Sequence, residues 1–155
     1  MGLTDQSVLS ILLRLGLAMA CGGLIGWERH AAGKPGGLRT HMLVSVGAAI
    51  FVMNTSGGSL DSTSRVVQGI AAGIGFLGAG EILHVGQTAA DAKVKGLTSA
   101  ASIWGTAALG ISAGEGLWVL AIAGCAVTML ILTVAKRIEA RLPKGNHGHG
   151  GGLTD

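Results

Sequence analysis

The stretch VVQGIAAGIGFLGAGEILH, residues Val66 to His84, decides how the rest of this chain is read. It is overwhelmingly apolar and carries glycine at Gly69, Gly73, Gly75, Gly78 and Gly80. In water such a helix is poor, because each interior glycine costs about 0.8–1 kcal/mol of helix propensity relative to alanine. In a bilayer the backbone must satisfy its own hydrogen bonds, so an apolar run of about 20 residues spans as a helix and its glycines let neighbouring backbones approach. Gly69 and Gly73 stand one small-xxx-small step apart, with Gly80 close to the same face and Gly75 with Ala79 on another. The stretch is therefore expected to be the central packing helix of a membrane bundle.

Composition points the same way. The chain has 155 residues, of which 49% are hydrophobic and only 12% charged, with 28 glycines and a mean hydropathy of +0.59. A soluble domain of this length carries about twice that charged fraction. Aromatic residues make up 3%, and the basic residues punctuate apolar runs instead of clustering on one face, so a nucleic-acid reader is excluded.

Four more apolar runs flank the glycine-rich one, giving expected spans of about 8–27, 41–55, 66–84, 97–111 and 117–135. The fold class is all-α: a polytopic membrane bundle of about five helices in one domain, residues 1–142, followed by a polar, low-complexity tail, 143–155, expected to be disordered. No basic leader precedes the first run, so it reads as a mature helix and not as a cleaved signal. Within it Arg14 is expected to snorkel to the near interface or face a polar interior. Its small residues Gly22, Gly23 and Gly26 are candidates for packing against the third span.

The connections after spans one and three, with the tail, hold Arg29, Lys34, Arg39, Lys93, Lys95, Lys136, Arg137, Arg141 and Lys144, while the opposite side has only Arg65. This bias places the N-terminus outside and the C-terminus in the cytoplasm. Cys21 and Cys125 fall inside spans, where they read as small apolar residues and not as a disulfide.

Chemistry-bearing residues are few. Gly73-Ile-Gly75-Phe-Leu-Gly78 spells a dinucleotide fingerprint but lies inside an apolar span with no strand before it, and no Walker, HExxH, CxxC or GxSxG motif occurs. No enzyme is expected. Glu28, Arg29, Arg39, Thr40, His41 and Glu81 lie at helix mouths, where a plain structural ion pair competes with a ligand-binding cluster. Glu81 and His84 form one Glu-x-x-His pair, and with Glu28 they are the weak metal candidates, set against pairing of Glu81 with Lys93, Lys95 or a loop arginine. His147 and His149 in the tail read as a tail feature. Thr98, Ser102 and Thr106 recur every four residues. Hydrogen bonding to their own helix is the default there, and lining of a water or ion path is the alternative.

Three blocks carry a resemblance: GGLIGWERHAAGKPGGLRTHMLVSVGAAIFV from Gly22, RVVQGIAAGIGFLGAGEIL from Arg65 and VKGLTSAASIWGTAALG from Val94. In this order they resemble the signature blocks of the MgtC/SapB family of bacterial inner-membrane proteins, over most of Gly22 to Gly110. The positions carried over are Gly26, Glu28, Arg29, Gly37, Arg39, Thr40, His41, Gly75, Gly78, Gly80, Gly96, Leu97 and Thr98. The resemblance implies a multi-pass protein linked to magnesium limitation and, in intracellular pathogens, to virulence and survival in phagocytes. It implies action by binding other membrane proteins, the ATP synthase among them. The soluble C-terminal domain of the best-known members is not expected in this chain.

Two functions from different classes follow. In the first the chain is a regulatory module whose partners are the bilayer, a second copy of itself in a homodimer or higher homo-oligomer, and other inner-membrane proteins. In the second it is a homo-oligomeric transporter or channel for Mg²⁺ or another cation, with Thr98, Ser102 and Thr106 and the charges of Glu28, Arg39 and Glu81 along the path. No resident cofactor is expected in either.

Overall fold

The structure, a computed structural model, describes residues 8–55, 58–85 and 93–139. The tail after residue 139, the leader before Val8 and the middle of the connection after the third span lie outside the described residues, and with them Asp91, His147 and His149.

Five long helices follow one another. The first, α1 (Val8–Ala31), runs through the expected first span and carries Glu28 to His30 in its last turn. It stops where Gly33 and Gly36 adopt positive φ, +63° and +68°, on either side of Pro35. The second, α2 (Leu38–Met53), starts directly after Gly37. The third, α3 (Leu60–Gly80), begins earlier than hydropathy indicates. Ser59 caps its first turn by accepting from the Ser62 amide, and Asp61 pairs with Arg65 across one turn. An antiparallel pair of short strands, β1 (Leu83–Val85) and β2 (Lys93–Lys95), follows, then α4 (Leu97–Gly114) and α5 (Trp118–Leu130). The last of these continues through a π-helical turn, Ile131–Ala135, into α6 (Lys136–Glu139).

The expected third span therefore ends four residues early. Glu81 is the C-cap of α3, and His84 pairs with Val94 in the strand ladder. Two glycines in the last three positions leave the helix little propensity to continue. Gly96, at φ +95°, tucks β2 back against the Glu81 carbonyl so closely that any Cβ there would collide with it.

The glycine faces of the neighbouring helices converge on α2, not on α3. Gly22 and Gly26 of α1 rest on its backbone: a Cβ on Gly22 would stand 2.5 Å from the His41 carbonyl oxygen, and one on Gly26 2.7 Å from Leu38 Cα. On the other side Gly110 and Gly114 of α4 press on Ser45 and Ala49, with a Cβ on Gly114 only 2.7 Å from the Ala49 carbonyl oxygen. Two small-xxx-small pairs thus clasp one helix from both sides. By contrast Gly69, Gly73, Gly75 and Gly80 of α3 have nothing within 4 Å, and only Gly78 is covered, by Ala100.

Burial is inverted relative to a water-soluble protein. The interior is lined by small side chains such as Ala18, Ala49, Ala113 and Ala121, with Ile25 and Ile103 the largest fully buried apolar ones. The exterior presents Leu12, Leu24, Phe51, Phe76, Val119, Ile122 and Leu130. Contiguous apolar surface on this scale is rare on soluble monomers. Among the described residues one helix, Val8–Ala31, is long and apolar enough to cross a membrane by itself, while Leu38–Met53 and Trp118–Val134 are apolar but shorter.

Candidate functional site

Polar side chains inside this apolar bundle are concentrated along the contact between α2 and α4. His41 and Ser45, one turn apart on α2, are wholly buried, as are Ser99, Ser102 and Thr106 on α4. The α4 residues recur at i, i+3 and i+7, which is one helix face, continued by Gly110 and Ala113. His41 joins the two helices: its Nε2 lies 3.1 Å from Ser102 Oγ and its Nδ1 3.1 Å from the Gly37 carbonyl oxygen. Ser102 Oγ also reaches the Ser99 carbonyl at 2.8 Å, and Thr106 Oγ1 donates to the Ser102 carbonyl at 2.8 Å. The Ser45 hydroxyl is buried without a hydrogen-bond partner.

Charge enters this seam at one end. Gly36, in the α1–α2 connection, is the point where three elements meet. A Cβ there would lie 3.2 Å from Ile103 Cδ1, 3.6 Å from His41 Cε1 and 3.7 Å from the carboxyl carbon of Glu81. Glu81 Oε2 is buried and has no hydrogen-bond partner. Arg29, only 3% exposed, is held by an ion pair with its neighbour Glu28. Arg39 and Thr40 are exposed. The helix-mouth residues thus divide: Glu28 and Arg29 pair with each other, His41 and Glu81 face the Gly36 turn, and Arg39 and Thr40 stand outside.

Two further expectations change in detail. Thr98 is exposed while Ser102 and Thr106 are buried, so the three hydroxyls do not make one strip. Helix hydrogen bonding accounts for both inward ones, since each reaches a carbonyl of α4 itself. Glu81 and His84 do not share a helical turn, and among the described residues no three of His, Cys, Asp and Glu gather to hold a metal ion. Lys95 is exposed, and the Lys93 side chain lies outside the described residues.

At the opposite end Arg14 does not reach into open solvent. Its Nη1 donates to the Gly114 carbonyl at 2.8 Å, at the C-terminus of α4, and its guanidinium lies beside Gly116, where φ is +80°. A cation there satisfies a carbonyl with no helical partner and opposes the negative end of the helix dipole. Cys21 and Cys125 are free, buried and adjacent across α1 and α5, the Cys125 thiol 4.0 Å from the Cys21 carbonyl oxygen.

A model of the MgtC family matches residues 15–141, which takes in α1 from Leu15 onward, the other four long helices and the seam between α2 and α4. The chain belongs to the MgtC family. Among curated relatives it is 45% identical over 141 residues to protein SrpB of Synechococcus elongatus, covering 84% of this chain and 78% of that one. It is 40% identical over 145 residues to YhiD of Escherichia coli K12, which is named a candidate magnesium transporter, covering 88% of this chain and 65% of YhiD. To protein MgtC of Salmonella typhimurium LT2 it is 38% identical over 141 residues, covering 88% of this chain and 58% of that protein. The alignments with YhiD and MgtC thus span less than two thirds of those relatives' length. No solved structure matches the chain. The matched region runs through the polar stretch from Glu28 to His41. Membership does not by itself separate His41, which is sealed inside, from Arg39 and Thr40, which are not.

The sequence reading missed Ser45 and Ser99. The signal was present in the small-residue rhythm of α4: Ser99, Ser102, Thr106, Gly110 and Ala113 repeat at steps of three and four, and all are buried. Choosing instead the strict four-residue step from Thr98 selected a start on the exposed face.

Proposed function

We propose that this chain is a multi-pass domain of the bacterial inner membrane, N-terminus outside and C-terminus cytoplasmic. It serves adaptation to magnesium limitation by helix-to-helix contact with another membrane protein, not by passing the ion. The membrane part of this reading is supported by the apolar exterior and by the gathering of most of the described basic residues at one end. The α1–α2 connection, which carries Lys34 and is flanked by Arg29 at the end of α1 and Arg39 at the start of α2, meets the strand pair bearing Lys95 at Glu81. The magnesium connection is supported by family membership and by the name that YhiD carries.

One observation carries the contact reading. Beside α3 an apolar groove of about 750 Å³ runs between Leu43, Gly47 and Phe51 of α2 and Gly69, Ile70 and Gly73 of α3. Gly69 and Gly73 stand open in it. Elsewhere in the molecule the same glycine spacing is filled by a helix backbone, and a transmembrane helix is what such a face accepts. No catalytic chemistry and no resident cofactor belong to this proposal.

The test combines capture with transport. A photo-reactive residue at Ile70 in native membranes is expected to cross-link to a membrane protein, and Gly73→Leu to abolish the product. Sealed liposomes holding the purified protein are expected to show no protein-dependent Mg²⁺ flux. Flux above the empty-liposome control would overturn the contact reading in favour of a homo-oligomeric cation transporter.

A further inference from the structure

Among the described residues His41 is the one ionisable side chain with no exposed surface, and its two ring nitrogens meet groups that fix where hydrogens must sit. Nδ1 faces the carbonyl oxygen of Gly37, which only accepts, so Nδ1 carries a hydrogen in every state. Nε2 faces Ser102 Oγ, whose single hydrogen has two destinations, the Ser99 carbonyl at 2.8 Å and Nε2 itself at 3.1 Å. With the hydroxyl hydrogen on Ser99, the oxygen offers Nε2 only lone pairs. Nε2 must then be a donor, and the ring is an imidazolium. With the hydrogen turned to Nε2, the ring is neutral in the Nδ1–H form. One hydroxyl rotation therefore keeps both ring nitrogens satisfied in both protonation states, at a residue with 0% exposure.

The charges around the ring decide what a bound proton would meet. On α1, Arg29 is paired with Glu28, and His30 lies on the far side of Gly37, outside the core. On α2 itself Arg39 is exposed. The face of α4 toward the ring holds Ser99, Ser102 and Ile103 and no charge. The α3 end supplies Glu81, whose buried Oε2 has no hydrogen-bond partner. Arg29 and Glu81 are the charged groups whose fields reach the ring, the first acting against a proton there and the second in its favour.

We infer that His41 is a proton-binding site built into the α2–α4 contact, with Ser102 as the two-way acceptor and donor and Glu81 as the counter-charge. Proton uptake converts the neutral ring to an imidazolium and needs no other reactant. The buried Glu81 oxygen gains a positive neighbour at the same moment. The site lies at the end of the bundle where the connections meet, so it reports the proton concentration on that side. This inference stands on the bundle interior and does not depend on what meets the groove beside α3.

The test is nitrogen-15 NMR of histidine-labelled, full-length protein in bilayers between about pH 4.5 and 8.5, with His41 assigned through its correlation to Thr40. In the neutral state His41 is expected as the Nδ1–H form, opposite to the Nε2–H preference of a solvated ring. In acid both nitrogens are expected to carry hydrogen. Glu81→Gln, which keeps shape and removes charge, is expected to lower the His41 midpoint by about one pH unit. A neutral Nε2–H ring, a ring that never protonates in this window, or a midpoint indifferent to Glu81→Gln would each overturn the proposal. The tautomer needs no variant, so it decides the matter even where a substitution impairs folding.

Discussion

Two sets of glycines with the same four-residue spacing behave in opposite ways in this molecule. Gly22 with Gly26, and Gly110 with Gly114, are pressed against the backbone of α2, so that a single added carbon at any of them collides with main-chain atoms. Gly69 with Gly73 stand open beside a groove. Spacing alone therefore says that a helix has a face fit for close approach. Whether that face is spent inside the fold or kept for something outside depends on which helix lies opposite.

The comparison breaks most sharply at Gly110. Replacing it with leucine forces a side chain into the Ser45 carbonyl, where flexible atoms are not available to yield. The variant is expected to lose about 3 kcal/mol or more, at the upper end of overpacking costs, read as a lower unfolding midpoint in mixed micelles. An unchanged midpoint would show that α4 does not seat on α2 as described. Next in size is Gly96→Ala, which combines a left-handed backbone with a collision at the Glu81 carbonyl. The expected loss is about 2 kcal/mol by the same measurement.

How far the sequence could foresee this follows from the same contrast. The helices themselves were legible, because long apolar runs separated by Pro35, Gly36 and Gly37 or by charged connections leave few alternatives. The early end of α3 was less so: Ile82 and Leu83 resume the apolar run after Glu81, and it is backbone pairing with Lys95 that places Leu83 in a strand. Which helix receives the glycine faces was not legible. A count of glycines favours α3, yet α2, with only Gly47 in its span, is the helix on which Gly22, Gly26, Gly110 and Gly114 close. His41 stood out as a polar residue at a helix mouth. What made it a sealed link was Ser102, sixty-one positions away, and no local pattern joins the two.

Arg14 sharpens the comparison at the other end of the bundle. Hydropathy makes it an interruption of the first span, whereas in the structure it holds the last carbonyl of α4. Arg14→Met keeps the apolar stem and removes the donor, and is expected to cost about 1.5 kcal/mol, the low end for a charge-assisted hydrogen bond. If the guanidinium only reached the interface, the variant would match the parent protein.

The smallest stability effect is expected at Gly73, and it is the most informative because two readouts must separate there. A Cβ on Gly73 meets nothing within 4 Å, so Gly73→Ala is expected to change stability by less than about 0.5 kcal/mol, as surface substitutions away from special backbone geometry do. Alanine even gains helix propensity over glycine. If the groove receives a partner helix, the added methyl stands where that backbone would approach, so cross-linking from Ile70 should fall while the unfolding midpoint holds. Were midpoint and cross-linking both unchanged, the open face of α3 would be a lipid-facing surface like Phe76 beside it. Were both to fall together, α3 would be packed inside the fold after all, and the distinction between the two sets of glycines would dissolve.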